Sequence, residues 1–165
     1  MKSFVIDVNV LIAANGRKTH ADEACRLACT IKLMNIKKEH KVVIDEGREL
    51  IFAKYREYCS YKPGGKTGDE FFIWLSDNKN KYNQGRCELV SVTPNDEREF
   101  EEFPDDPALA GFHRSDRVFV AVAKASANNP EILNATDSGW FKFEDALRAN
   151  GVTVAQLCPQ HLKRS

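Results

Sequence analysis

No charge of one sign dominates this chain. Its 24 Lys and Arg residues meet 24 Asp and Glu residues. A zero net charge argues against a protein that coats nucleic acid by bulk electrostatics, though it leaves room for local basic grooves. Long apolar runs are lacking too. The N-terminus carries one Lys and then roughly nine apolar residues broken by Asp7, which is no signal peptide. No stretch approaches the roughly 18 apolar residues of a membrane span. Cysteine is sparse and odd in number: the five lack a small-scaffold spacing, and they read as reduced thiols in a cytoplasmic protein. There is no internal repeat and no linker long enough to separate two domains, so residues 1–165 are expected to form one domain. An apolar fraction of 42%, with ten Phe and two Trp, excludes a disordered chain.

Short apolar runs alternate with helical spacing. Residues 3–6, 42–44, 87–92 and 132–136 read as strands, with 152–154 as a last one. Ala24, Leu27, Ala28, Ile31 and Met34 keep helical spacing within 20–37. Further helices are expected over 46–58, around Phe71 to Leu75, over 116–127 behind a Ser115 cap, and over 143–149. Thr93-Pro94 offers a hydroxyl cap and a first-turn proline for a helix bearing Asp96, Glu97, Glu99, Glu101 and Glu102. Residues 60–68 are a loop by composition. Strands alternating with helices predict an α/β fold with a mainly parallel central sheet.

Two strands end at a carboxylate. Phe4-Val5-Ile6 runs into Asp7, and Ile132-Leu133-Asn134-Ala135-Thr136 into Asp137. Ligands of open α/β sheets bind beyond the carboxyl ends of the strands. Carboxylates gathered there repel one another unless a divalent cation neutralises them. Asp116, in a first helical turn, is a third candidate. Asp45, Glu46 and Glu49 crowd the join of the second strand and its helix, where spacings of three and four put pairs on one face. Taken singly, each is also an ordinary cap or dipole partner.

In order and spacing these motifs resemble the PIN domain family of metal-dependent nucleases, over most of the chain. Asp7-Val8-Asn9-Val10-Leu11 is similar to the family's D-x-N-V-L opening. Ser115-Asp116 followed by Val118-Phe119-Val120-Ala121-Val122-Ala123 is similar to its third acidic motif, and Asn134-Ala135-Thr136-Asp137-Ser138 to its fourth, T-D-x-D. The resemblance implies a three-layer α/β/α sandwich, a Mg²⁺ or Mn²⁺ site, and endonuclease activity, usually on RNA, with DNA as the other candidate substrate. Asp7, Asp116 and Asp137 would hold the metal, with Glu49 as the fourth acid and Asp45 or Glu46 as its rivals. Asn9 would orient Asp7, and Thr136 or Ser138 would hydrogen-bond a carboxylate. Gly139 stands where the motif has its second Asp. A toxin with an antitoxin partner, a defence nuclease, and a homodimer are the settings implied. The alternative is a catalytically degenerate scaffold that binds RNA or a protein.

Other features carry less. Lys54, Arg56, Lys62 and Lys66, interleaved with Tyr55, Tyr58 and Tyr61, are candidates for a nucleic-acid backbone and for base stacking, against a plain reading as a solvated helix end. Gly64-Gly65-Lys66-Thr67 resembles part of a P-loop, but Ser60 replaces its first Gly and a helix precedes it. Cys25 and Cys29, one helical turn apart, read as buried thiols, with metal ligation a minor alternative. His113 lies near Asp116, and Trp140 follows the acidic strand end. A phosphatase using an Asp nucleophile would open with D-x-D, whereas Asn9 stands at the third position.

Overall fold

The run Ser-Phe-Val-Ile forms β1 (Ser3–Ile6), buried along its whole length, as befits a strand covered on both faces. The computed structural model describes residues 1–17, 19–62, 64–81 and 85–162. From β1 the chain passes through α1 (Val8–Asn15), α2 (Glu23–Glu39), β2 (Lys41–Asp45), α3 (Leu50–Tyr58), α4 (Thr67–Asn78) and β3 (Cys87–Val90). A small antiparallel ribbon of β4 (Pro94–Asn95) and β5 (Glu99–Phe100) follows. Then come α5 (Arg117–Ala125), β6 (Glu131–Asn134), α6 (Ser138–Lys142), α7 (Glu144–Ala149) and β7 (Val154–Gln156). Among the described residues, five strands make one all-parallel sheet in the order β3-β2-β1-β6-β7. Helices flank it, giving the α/β fold that the alternating pattern predicts.

This strand order decides where a ligand can bind. The chain steps outward from β1 to β2 and β3, then returns past β1 to β6 and β7. Right-handed crossovers place the helices of the two excursions on opposite faces. Accordingly α1, α2 and α4 pack on one another, whereas α5 lies against β1, β2 and β6, and α3 touches both α1 and α5. The direction reverses between β1 and β6, and the crevice beyond their carboxyl ends is the topological switch point. Asp7 directly follows β1, and Asp137 follows β6 after Ala135 and Thr136.

Several local expectations are corrected. No helix begins at Thr93-Pro94. The Asn95 side chain accepts hydrogen bonds from the Glu97 and Arg98 amides at 2.9 and 3.1 Å, an Asx turn that competes with helix. Glu99 then takes a left-handed φ of 75°, and the β4–β5 ribbon results. The helix expected from residue 46 begins at Leu50. Gly47, at φ 77°, breaks the backbone, and Asp45 accepts the Leu50 and Ile51 amides at 2.7 and 2.9 Å. Helix α2 buries Cys25, Cys29, Leu33 and Ile36, while Leu27, Ile31 and Met34 of the expected face are half exposed.

The reduced-thiol reading is also corrected, for Cys25 and Cys158 form a disulfide across a sequence separation of 133. Sequence offers no hint of it, because α2 and the segment after β7 meet only in the fold. Cys29, Cys59 and Cys87 are free, and burial pushes each thiol up to about 12.

Helix α4 is locked onto α1. A Cβ on Gly68 would lie 2.3 Å from the Leu11 carbonyl oxygen, so only glycine permits this approach. Next to it, the Asp69 amide donates to Asn15 Oδ1 at 2.9 Å and Asn15 Nδ2 donates to Asp69 Oδ1 at 3.1 Å. Arg17 pairs with the other Asp69 oxygen at 2.6 Å. Phe71, Phe72 and Leu75 are buried beneath α4. Helix α3 precedes the Gly64-Gly65-Lys66 segment, so the strand-to-helix cradle of a P-loop is absent there; Pro63 lies outside the described residues. No helix among the described residues is long and apolar enough to cross a membrane.

Candidate functional site

Asp7 caps α1 at the end of β1. Its Oδ1 accepts from the Asn9 amide at 2.9 Å and its Oδ2 from the Trp140 indole at 2.8 Å. The residue is only 3% exposed. Burial, with the nearby charge of Asp116, raises its carboxyl from the ordinary 3.8 to about 7, against the pull of those two hydrogen bonds. Asp116 closes a short 3-10 turn, Arg114–Asp116, ahead of α5. Burial and the charge of Asp137 raise it to about 6, with Lys54 acting in the opposite sense. Asp137 caps α6, accepting from the Gly139 amide at 2.8 Å. Ligand oxygens of these three aspartates all lie within 4.8 Å of one another. They line an open cleft of about 610 Å³ together with Asn9, His113, Ser138 and Lys142.

The segments bearing the three acids are held by buried polar groups. Asn9 Nδ2 donates to Asn134 Oδ1 at 2.8 Å, and Asn9 Oδ1 accepts from the Ala135 amide at 2.8 Å. Fully buried Asn134 donates to the Asp137 carbonyl at 2.9 Å and to Gln156 Oε1 at 2.7 Å. The two asparagines therefore fasten the β1 exit to the β6 exit. Asp116 is fixed by its neighbour: the buried Arg117 guanidinium donates to the Phe112 and Ala110 carbonyls at 2.9 and 3.0 Å and lies 4.4 Å from the centre of the Phe103 ring. Those bonds hold the loop that delivers Asp116. His113 Nδ1 accepts from Ser115 in the same turn.

Of the expected residues, the structure unites Asp7, Asp116 and Asp137 and leaves the fourth acid out. Glu49 is ion-paired with Lys79 and does not belong to the 4.8 Å group found among the described residues. Asp45 is spent on capping α3, and Glu46 accepts from the Ser91 hydroxyl. Asn9 orients Asp7 through its backbone amide, while its side chain serves Asn134. Thr136 is half-buried and Ser138 exposed; among the described residues neither hydroxyl bonds to a carboxylate. A Cβ at Gly139 would come within 3.2 Å of Asp137 Oδ1, so any side chain there crowds the acid that the Gly139 amide now supports.

The expected basic group divides. Lys54 lines a groove of about 500 Å³ with Arg48 and Ser115, where Glu57, Asp96 and Glu99 also lie and Arg114 is paired with Glu99 at 2.9 Å; Ser115 also borders the aspartate cleft, so groove and cleft adjoin. Arg56 lies over the Phe52 ring instead, 5.2 Å from its centre, and Lys62 and Lys66 are exposed between α3 and α4, which starts at Thr67, earlier than the expected loop over 60–68 allows. Tyr55 is buried, its hydroxyl donating to the Ile6 carbonyl. Arg48, Arg114, Asn134 and Arg117 went unrecognised in sequence. Only Asn134 carried a signal, as a polar residue within an otherwise apolar strand run.

No protein-family model, curated protein or solved structure matches this chain.

Proposed function

We propose that this protein is a divalent-metal-dependent phosphodiesterase, an endonuclease with RNA as its first expected substrate. The observation that carries the reading is the convergence of Asp7, Asp116 and Asp137, from three separate segments, within 4.8 Å at the switch point of a parallel sheet. Three carboxylates this close, two with raised proton affinity, leave negative charge that a cation would offset. Their hard oxygens suit Mg²⁺ or Mn²⁺ better than a soft metal. Asp7, Asp116 and Asp137 would hold the cation, which would supply a water of lowered pKa and offset charge on the scissile phosphate.

The chain's own groups do the positioning. Trp140 and the Asn9 amide each occupy one Asp7 oxygen and leave it further acceptor capacity. The asparagine bracket keeps Asp137 opposite Asp7, and Arg117 keeps Asp116 at the cleft. Lys54 and Arg48 along the adjoining groove supply positive charge for the flanking backbone phosphates, whereas Arg114 there is paired with Glu99. The resemblance to PIN nucleases supports the same chemistry.

Labelled single-stranded RNA and DNA, incubated with Mn²⁺, Mg²⁺ or EDTA, test this reading. Cleavage is expected with metal, lost in EDTA, and abolished in Asp116→Asn with an unchanged circular dichroism spectrum. Cleavage that persists in both Asp7→Asn and Asp116→Asn would remove the assignment. Gly139 and the engagement of Glu49 elsewhere favour a second reading, a scaffold that binds metal and RNA without cutting. Metal binding with intact RNA would establish it.

A further inference from the structure

Away from the aspartate cleft, three sulfurs converge. Cys25 and Cys29 occupy successive turns of α2, and Cys158 reaches them from the segment after β7; all three are fully buried. Cys25 and Cys158 share a disulfide, a bond that needs no third partner. Yet Cys29 Sγ lies 4.0 Å from Cys158 Sγ, and all three sulfurs fall within 4.8 Å of one another. Two thiolates on one tetrahedral zinc, each bonded at about 2.3 Å, stand about 3.8 Å apart. The sequence around them reads C-x3-C on the helix and C-x2-H at Cys158 and His161. That imidazole does not belong to the group within 4.8 Å, being turned to Asp22. His161 Nε2 accepts from the Asp22 amide at 3.1 Å, and Asp22 caps α2 by accepting from the Cys25 amide at 2.8 Å.

We propose that Cys25, Cys29 and Cys158 form a structural Zn²⁺ site in the reduced chain, with His161 turning from Asp22 to become the fourth ligand, and that the disulfide is the oxidised, metal-free form of the same site. The interconversion balances. A dithiol reductant attacks the Cys25–Cys158 bond and becomes a cyclic disulfide, while the protein sulfurs gain two electrons and two protons. The three thiols then release their protons as three zinc–sulfur bonds form. In reverse, a low-molecular-weight disulfide accepts two electrons and becomes two thiols, the Cys25–Cys158 bond forms, and the ion leaves. Three thiolates and an imidazole are a closed structural donor set, unlike the all-oxygen aspartate cleft. This site does not depend on the nuclease reading. Either state ties the end of the chain to α2, so the fold keeps its clasp in both reducing and oxidising surroundings.

Co²⁺ is the probe, added to the full-length protein reduced with a phosphine under argon. One equivalent is expected to develop thiolate-to-cobalt charge-transfer absorption, and one equivalent of Zn²⁺ to abolish it. The oxidised protein should show none. Asp7→Asn should leave the band intact, whereas Cys29→Ser should lose it and Cys59→Ser should not. His161→Ala should keep the band and bind Zn²⁺ more weakly; affinity equal to the parent's would overturn the fourth ligand. A reduced, folded wild-type chain without the band, or a band unaltered in Cys29→Ser, would overturn the site.

Discussion

Asp7 serves the fold and the proposed chemistry in conflicting ways. The fold buries its carboxyl and favours the protonated form up to about pH 7, while a cation needs the carboxylate. A group whose folded pKa is raised holds a proton that the unfolded chain has already released. Stability of the metal-free protein should therefore fall as pH rises from about 4 to about 7, then level off. The Asp7 shift alone, from 3.8 to about 7, corresponds to roughly 4 kcal/mol. Thermal melts in EDTA across this range should show the decline, and Asp7→Asn should flatten it. Mn²⁺ should restore the wild type above pH 7 and leave the Asp7→Asn, Asp116→Asn double variant unchanged. A wild-type Tm that climbs with pH in EDTA would contradict the burial argument.

Helix α2 shows what sequence disclosed and what it hid. Its existence and approximate length were legible, because apolar residues recur at helical spacing. Its buried side was not, because the helix has two apolar faces. Ala24, Leu27, Ala28, Ile31 and Met34 outnumber the buried Cys25, Cys29, Leu33 and Ile36, and the positions of α1, α4 and the Cys158 segment select the second set. Leu27→Lys with Ile31→Lys should thus change stability by no more than about 0.5 kcal/mol, whereas Leu33→Ala should cost about 2–5 kcal/mol, both read from urea midpoints. The strand-end aspartates were visible only jointly: each alone is an ordinary cap, as both prove to be, but two carboxylates closing buried apolar runs point to one sheet edge. Glu49 stands apart from the three aspartates because the helix starts only at Leu50, and its partner Lys79 comes from the far end of α4, beyond the reach of local spacing. Trp140 followed the site in sequence, but its bond to Asp7 spans β1 and α6 and needs the switch point to exist.

On the scale of the whole molecule, the Cys25–Cys158 link encloses most of the chain. Cross-links over such separations stabilise mainly by restricting the unfolded state, typically by 2–4 kcal/mol. Phosphine reduction in the presence of a chelator should lower the unfolding free energy by that amount, read from urea midpoints, and one equivalent of Zn²⁺ added after the chelator is removed should recover it. An unchanged midpoint on reduction would mean that the clasp adds nothing to the fold. The contact between Gly68 and the Leu11 carbonyl makes α4 a structural partner of α1 and not a loop laid over it. With no room for a Cβ between the two backbones, and with Phe71, Phe72 and Leu75 buried beneath it, α4 could be removed only by rebuilding the surface of α1 that it covers.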